Sequence, residues 1–257
     1  MALPTVAAAF VLLIAGHKNQ LMTSVGGLCL GVALLTMGPS TLRSVLTRQV
    51  RRRPIAAQLQ TVLIGVALGG GLFAIGIAAL VALHATSVTW SRAALITVVA
   101  SLLYWTAASA AIAIVEEALC RSYILDSVAE HSSIATGVVV SSVVFGLLHL
   151  PNAGASYAAV TFLMVHGLFF AACRLLTGDL TLAIGAHMGW NLAEGGVSGA
   201  RISGLHALGV WRTVAHRGSL LNGGAFGPEA GIITVVFVAA AATVVFALGS
   251  RPRHRAS

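Results

Sequence analysis

The stretch that decides the fold is residues 93–121, AALITVVASLLYWTAASAAIAIVEEALCR, where a long apolar run leads directly into two glutamates and an arginine. No Asp, Glu, Lys or Arg interrupts residues 93–115. A helix rises 1.5 Å per residue, so a run of this length crosses a hydrocarbon core of roughly 30 Å. The stretch therefore predicts a membrane helix followed by a charged motif.

Apolar runs of this kind recur along the whole chain. Hydropathy, broken at charges, Pro and Gly clusters, gives eight candidate spans: 3–16, 21–38, 59–83, 93–115, 134–150, 156–176, 180–197 and 230–249. Several are shorter than the roughly twenty residues of a crossing helix, so flanks, tilt or neighbouring helices must complete them. We expect an all-α, polytopic transmembrane bundle of about eight helices, with a polar catalytic cavity in its second half.

The composition excludes a soluble protein. Charged residues make up 9% of the chain and hydrophobic residues 58%, whereas about a quarter of a soluble domain is charged. A net charge of +8 could indicate nucleic acid, but the arginines cluster beside apolar runs, at positions 43, 48, 51, 52, 53, 251, 253 and 255. This distribution is typical of the cytoplasmic flanks of membrane helices, and we predict a lipid bilayer and no nucleic acid as partners.

The same charges predict an orientation. With eight spans and residues 43–53 inside, ten of the fifteen Lys and Arg residues are cytoplasmic, as are both termini. We expect a multi-pass protein of a bacterial plasma membrane. Span 3–16 is predicted to be a retained helix, because it lacks a basic n-region and a small-residue cleavage site.

The chain divides into three predicted regions: N-terminal membrane helices (1–90), a core (91–250) and a basic cytoplasmic tail (251–257). Within the core, residues 198–229 form a polar interruption that we interpret as a loop and a candidate lid. The three cysteines, Cys29, Cys120 and Cys173, lie far apart in apolar surroundings. Their number and spacing indicate core residues, not a disulfide framework or a cysteine metal cluster.

The first polar motif is Glu116-Glu117-x-x-x-Arg121. A charge at the centre of an inserted helix costs roughly 2.5–3.5 kcal/mol, so these carboxylates need compensation. Glu117 and Arg121 share a helix face at i,i+4 spacing and are predicted to form an ion pair. Glu116 points about 100° away and stays free. In a partly dry cavity it can accept a proton from water, so we predict that Glu116 is a general base.

Two further motifs, Phe145-x-x-x-His149 and His187-x-x-x-Asn191, each place two side chains on one helix face. Glu116 and the two histidines can activate water without a metal, while His and Asn donate hydrogen bonds to the oxyanion. Alternatively, Glu116, His149 and His187 can hold a catalytic zinc with one open position. We favour the scheme without a cofactor, because Asn191 is a poor zinc ligand and a good oxyanion donor.

These three motifs, in this order, resemble those of the CPBP (CAAX protease and bacteriocin-processing) intramembrane protease family, which includes the type II CAAX prenyl endopeptidases. The resemblance extends over about 110–230 and includes the glycine-rich run Gly223–Glu229. It implies an endopeptidase acting on membrane-associated substrates, such as CAAX-type tails, leader peptides or other membrane-protein termini. It also implies catalytic roles for Glu116, His149 and His187, and oxyanion stabilisation by Asn191. Ser122 stands where many members have Gly.

Other interpretations stay open at this point. A catalytically silent scaffold that binds a peptide or partner protein is the first alternative, and a proton-coupled transporter is the second. His166 has no motif partner and is predicted to be a packing residue. Glu194 lies three residues beyond Asn191 on nearly the same face and can extend the polar network, but we favour a solvated carboxylate at the end of a span.

The motif positions also raise a problem of depth. Counted from residue 134, His149 lies about 22 Å along its helix, too deep to meet a glutamate at the end of span 93–115. We therefore predict that the helix carrying Glu116 continues well past Arg121, placing the motif inside the bundle, and that the cavity opens to the cytoplasm.

Overall fold

The computed structural model describes residues 53–216 and 219–249. The predicted spans 3–16 and 21–38, the arginines before Arg53 and the C-terminal tail lie outside these ranges. The described helices are α1 Ile55–Ala82, α2 Leu95–Glu117, α3 Leu125–His131, α4 Ile134–Leu148, α5 Tyr157–Thr177, α6 Thr181–Asn191, α7 Ser219–Asn222 and α8 Ile232–Gly249.

Irregular helical segments extend two of these helices. A π-helical segment, Ala118–Ile124, joins α2 to α3 without a break, and a second, Leu192–Val197, continues α6. A 3₁₀ turn at Pro228–Ala230 precedes α8.

Four helices in the described ranges are long and apolar enough to cross a membrane: Ile55–Ala82, Leu95–His131, Tyr157–Thr177 and Ile232–Gly249. They correspond to predicted spans 59–83, 93–115, 156–176 and 230–249. The predicted spans 134–150 and 180–197 become the shorter helix α4 and the buried helix α6 with its π-helical extension. The protein is thus a helical membrane protein, as predicted.

The boundary predicted at residue 115 is wrong, because the helix continues through the charged motif to His131. The reason is that Glu117 and Arg121 compensate each other inside the bundle, so the charges do not need to reach water. This continuation confirms the prediction made from the depth of His149. Glu116 lies about 22 Å before the helix end at His131, and His149 about 22 Å from the start of α4.

The prediction of an all-α fold also needs correction. Two short strands, β1 Thr86–Trp90 and β2 Trp211–Ala215, pair antiparallel with Trp90 opposite Trp211. The two indole rings meet edge to face at 5.0 Å between centroids. The strands are rich in β-branched and aromatic residues, which favour this conformation. The sequence did not predict the strands, because about 120 residues, mostly helical, separate them along the chain. Local periodicity gives no information about pairing over that separation.

Close glycine packing sets the arrangement of α1 and α6. Gly185 of α6 lies against Val62 of α1 and Gly189 lies against Val66, so the two helices run parallel, and Gly69 lies against Ala186. Small residues allow helix backbones to approach closely in lipid, where association depends on direct packing. Helix α2 runs antiparallel to α6, with Trp105 beside Gly195.

These directions give the bundle two ends. The end that we call the hairpin end contains the α3–α4 turn and the ion pairs Arg53–Asp179 and Arg174–Asp126, at 3.4 and 3.3 Å. The opposite end, which we call the loop end, contains the β1–β2 ribbon and the adjoining loop 198–210. Residues 223–227 fold back against the α4–α5 connection, where Ala225 lies beside Gly154. The three sequence motifs lie between the two ends.

Candidate active site

The predicted base Glu116 faces both predicted histidines. Its Oε2 atom lies 4.0 Å from Nε2 of His149 and 3.9 Å from Nε2 of His187. Oε2 is buried and has no hydrogen-bond partner in the structure. The separations exceed hydrogen-bond length, but a single water in this position could contact all three atoms. Glu116 of α2 thus lies close to one histidine at the end of α4 and to another on α6.

The second carboxylate of the motif, Glu117, orients His187. Its Oε1 atom accepts a hydrogen bond from Nδ1 of His187 at 2.9 Å. The ring of Phe170 stacks on the imidazole, with centroids 4.7 Å apart and planes 11° from parallel. A carboxylate on one ring nitrogen and a stacked aromatic ring together direct the other nitrogen, Nε2, toward Glu116.

The predicted ion pair between Glu117 and Arg121 is confirmed. Arg121 Nε lies 3.2 Å from Glu117 Oε2, and both side chains are fully buried. Arg121 also donates a hydrogen bond to the carbonyl of Gly167 at 3.0 Å, and its guanidinium lies 4.7 Å from the ring centre of Phe145. Glu117 therefore contacts Arg121 through one carboxylate oxygen and His187 through the other. The helix spacing predicted the first contact but not the second.

His149 is the C-cap residue of α4. Its Nδ1 atom donates to the carbonyl of Phe145 at 2.8 Å, because a carbonyl oxygen can only accept. The same Phe145 ring packs against His149 and against His187, at 5.0 and 5.8 Å between centroids. Phe145 thus packs against both imidazoles.

Asn191 lies one turn beyond His187 on α6, and its side chain is buried. Its amide makes no hydrogen bond to another residue of the described ranges. The π-helical segment that begins after Asn191, like the one that begins after Glu117, alters the regular helix at the edge of the site. Such segments often occur at functional sites. The structure thus brings the predicted residues Glu116, His149 and His187 together, and Asn191 is buried one turn beyond His187 on the same helix.

Glu194 is not solvated, contrary to the prediction. It is completely buried, accepts a hydrogen bond from the indole Nε1 of Trp190 at 2.8 Å, and accepts another from the backbone N–H of Glu229 at 3.1 Å. Residue 194 lies near the end of the predicted span 180–197, but the segment before α8 folds over it. The spacing from Asn191, three residues, was the signal for the alternative, an extension of the polar network, since it places Glu194 on nearly the same helix face.

Glu229 is a further buried carboxylate that was given no individual role. Its Oε1 atom accepts hydrogen bonds from the backbone N–H and the hydroxyl of Ser203, both at 2.7 Å. The backbone of Glu229 is held by Glu194. These contacts attach residues 203 and 229 of the predicted lid to α6, so this part of the segment is an integral part of the bundle.

The cysteines of the described ranges agree with the prediction of core residues, since Cys120 and Cys173 are both free and buried.

The geometry of the site bears on the zinc alternative. Among the described residues, no group of three or more His, Cys, Asp or Glu side chains is arranged to hold a metal ion. With Zn–N and Zn–O bonds of roughly 2.0–2.2 Å, adjacent ligands of a tetrahedral zinc lie about 3.3 Å apart. The 3.9 and 4.0 Å separations around Glu116 are longer than that spacing.

All three motifs lie in a segment that is similar to a known family. Residues 98–193 match the family model described as type II CAAX prenyl endopeptidase Rce1-like. The match confirms the resemblance inferred from the motifs, and it supports a protease in general. It ends before the glycine-rich run Gly223–Glu229 that was part of the predicted resemblance. No curated protein and no solved structure matched the chain.

Proposed function

We propose that this protein is an intramembrane endopeptidase in which Glu116 activates water for attack on a peptide carbonyl. The observation that carries the proposal is the convergence of Glu116 Oε2 with Nε2 of His149 and of His187, within 4.0 Å. Ionisable groups inside a membrane bundle are costly and are usually functional. The family match over residues 98–193 supports the same class of reaction.

The proposed reaction follows from the proton positions. Nδ1 of each histidine donates its proton away from the site, to Phe145 or to Glu117, so a neutral ring presents an Nε2 lone pair. Glu116 takes a proton from water, whose oxygen bonds to the substrate carbonyl carbon. One imidazole takes up a solvent proton on Nε2 before attack, and it and the Asn191 amide then donate hydrogen bonds to the oxyanion; the imidazole keeps that proton through the turnover. The C–N bond then breaks, and the proton held by Glu116 passes to the leaving amine.

Glu117 contributes charge balance in this scheme. An imidazole that carries a second proton needs a nearby negative charge, and Glu117 is in direct contact with His187. The pairing is analogous to the carboxylate that orients and stabilises the histidine of a serine protease triad. Phe145 packs against both imidazoles and Phe170 stacks on that of His187, and such apolar surroundings strengthen the hydrogen bonds made there.

The proposed substrates are peptides of membrane-associated proteins, with CAAX-type tails, leader peptides and other membrane-protein termini as the classes to be compared. The proposed location is the bacterial plasma membrane, with both termini in the cytoplasm. A peptide-binding protein without catalytic activity is the alternative that the experiment must separate.

The test compares peptide termini in membrane fractions from cells that produce the wild type, Glu116→Gln or Glu130→Gln. Glu130 lies on the same continuous helix but is exposed, so it provides the matched control for the same chemical change. We expect a set of termini that requires Glu116 and does not require Glu130. Termini that are identical in all three strains would contradict the enzyme and favour the peptide-binding protein.

A metal assay of the purified protein completes the test. We expect cleavage to persist after chelation, with zinc well below one ion per chain. Stoichiometric zinc, with activity lost on chelation and restored by zinc, would replace the metal-free scheme.

A further inference from the structure

His166 is a third buried imidazole, and it has an unpaired nitrogen. Its Nδ1 atom bonds to the carbonyl of Phe162 at 3.2 Å, and since a carbonyl can only accept, Nδ1 carries the proton. In the neutral ring, Nε2 therefore presents a lone pair. The residue is 2% exposed, and Nε2 has no hydrogen-bond partner in the structure.

An unpaired polar atom at this depth calls for a partner. Leaving a buried acceptor unsatisfied costs about 1–3 kcal/mol, so such atoms in folded proteins usually meet a ligand, a water or a functional group. Packing against neighbouring helices, the role predicted for His166, is compatible with the burial of the ring. It does not account for the empty hydrogen-bonding position at Nε2.

The ring of His166 is oriented by a residue of α6, the helix that carries His187 and Asn191. Trp190 meets it edge to face, with centroids 4.8 Å apart and planes 85° from parallel. Trp190 is itself held by the hydrogen bond from its indole Nε1 to Glu194. The buried carboxylate of Glu194 therefore positions Trp190, which in turn fixes the ring of His166.

The position of His166 along the bundle places it beside Asn191. Helices α5 and α6 run antiparallel, and Phe170 stacks on His187. One turn earlier on α5 is His166, and one turn later on α6 is Asn191, so these two residues lie at the same level. Both His149 and His187 are close enough to interact electrostatically with His166.

We propose that His166 is a substrate-positioning residue whose Nε2 atom accepts a hydrogen bond from a main-chain N–H of the bound peptide, next to the position of Asn191. This inference rests on the proposed endopeptidase function and adds the means by which the site holds an extended substrate.

The chemistry of a peptide in a membrane interior favours this role. A main-chain N–H without water must find an acceptor in the protein, or binding carries a penalty of several kcal/mol. A peptide offers C=O and N–H groups together, and the Asn191 amide can donate to the first while His166 Nε2 accepts from the second. These contacts involve only the main chain, so His166 contributes to affinity for many side-chain sequences.

The test uses the purified full-length protein in lipid nanodiscs and a fluorogenic peptide built on a cleavage site found in the comparison of termini. His166→Phe keeps the aromatic shape and removes the acceptor, whereas His166→Gln keeps an acceptor oxygen. For the loss of one hydrogen bond, we expect His166→Phe to raise KM about three- to tenfold with kcat within about twofold. His166→Gln should restore most of the wild-type KM.

Ester-substituted peptides identify the bonded N–H group. Replacing each amide near the cleavage site by an ester removes one N–H at a time. One ester should raise KM for the wild type by the same factor as His166→Phe and cause no further loss in that variant. An unchanged KM in His166→Phe, or additive losses for every ester, would overturn the proposal and leave His166 as a packing residue.

A binding measurement separates this proposal from the proposed reaction. In the Glu116→Gln protein labelled with ¹⁵N-histidine, the Nε2 resonance of His166 should shift when the same peptide binds, even though no cleavage occurs. A shift in a purified wild type that does not cleave this peptide would contradict the assignment of the cleavage to this protein and retain the peptide contact. Peptide binding with no change at Nε2 would eliminate the contact.

Discussion

At the scale of single residues, Glu117 connects the stability of the bundle to the candidate chemistry. It neutralises Arg121 at 3.2 Å and orients His187 at 2.9 Å, and all three side chains are buried. A buried ion pair stabilises little in net terms, but removing one partner leaves an uncompensated charge. Glu117, which the i,i+4 spacing assigned to charge compensation of Arg121, is therefore also in direct contact with His187.

Glu117→Gln should lower both yield and cleavage. Arg121 loses its counter-charge at a cost of about 3–5 kcal/mol, and His187 loses the charge that balances its protonated form. In the double variant Glu117→Gln/Arg121→Met, neither member of the pair is left as an uncompensated buried charge, so the yield should recover. Cleavage should stay at least about tenfold below the wild type, because the neutral amide cannot stabilise the imidazolium.

The measurements are membrane yield, thermal unfolding in detergent and peptide cleavage of each purified variant. Full activity in the double variant would mean that Glu117 only compensates Arg121. Normal stability of the single variant would contradict the burial of the ion pair.

At the scale of elements, the position of α6 depends on how closely α1 approaches it. A Cβ added at Gly69 would lie 1.8 Å from the carbonyl oxygen of Ala186, the residue before His187. At Gly71, two residues along α1, an added Cβ has nothing within 4 Å. The two glycines occupy the same helix and therefore provide a matched pair.

We expect Gly69→Ala to destabilise the protein by about 1–3 kcal/mol, because the helices must separate to admit the methyl group. Cleavage should fall as well, since His187 moves with α6 relative to Glu116. Gly71→Ala should leave both properties unchanged or slightly raise stability, as alanine favours helix. Thermal unfolding and cleavage of both variants check this, and equal behaviour of the two would contradict the close α1–α6 contact.

The depth of Glu116 along its helix is also a property of an element. In a variant without Cys29, Cys120 and Cys173, a short bifunctional thiol reagent should bridge Glu116→Cys and His149→Cys. The native side chains approach to 4.0 Å, which a short linker spans. Glu130→Cys with His149→Cys is the control, because residue 130 lies about 21 Å further along the same helix. Bridging of the control pair alone would break the shared site.

At the scale of the whole molecule, the distribution of charge predicts an orientation in the membrane. Of the ten arginines assigned to the cytoplasmic side from the sequence, the structure places Arg53 and Arg174 at the hairpin end and buries Arg121 between the two ends. The loop end, with Arg92, Arg201 and Arg212, is then exterior.

Single cysteines in the same cysteine-free background test the orientation. A membrane-impermeant maleimide should label Leu208→Cys, at the loop end, in intact cells. It should label Ser132→Cys, in the α3–α4 turn, only after permeabilisation. Both positions are exposed, so the comparison depends on sidedness. The reverse pattern would mean that the charge bias does not set the orientation.

The sequence alone was sufficient for the features that depend on composition and local spacing. Long uncharged runs predicted the membrane helices, because hydrocarbon imposes a length on any crossing segment. The i,i+4 spacing predicted the Glu117–Arg121 pair, because residues one turn apart share a helix face. The mismatch in depth between Glu116 and His149 predicted a helix that continues past Arg121, since both positions follow from a fixed rise per residue.

Only the tertiary structure decided which side chains meet across helices. Glu117 contacts His187 from 70 positions away, and no helix periodicity encodes that distance. The burial of Glu194 and the orientation of His166 through Trp190 depend on how α5, α6 and the segment before α8 pack together. The β1–β2 pairing has the same origin. Local spacing determines the face of a helix on which a residue lies, whereas packing determines what that face contacts.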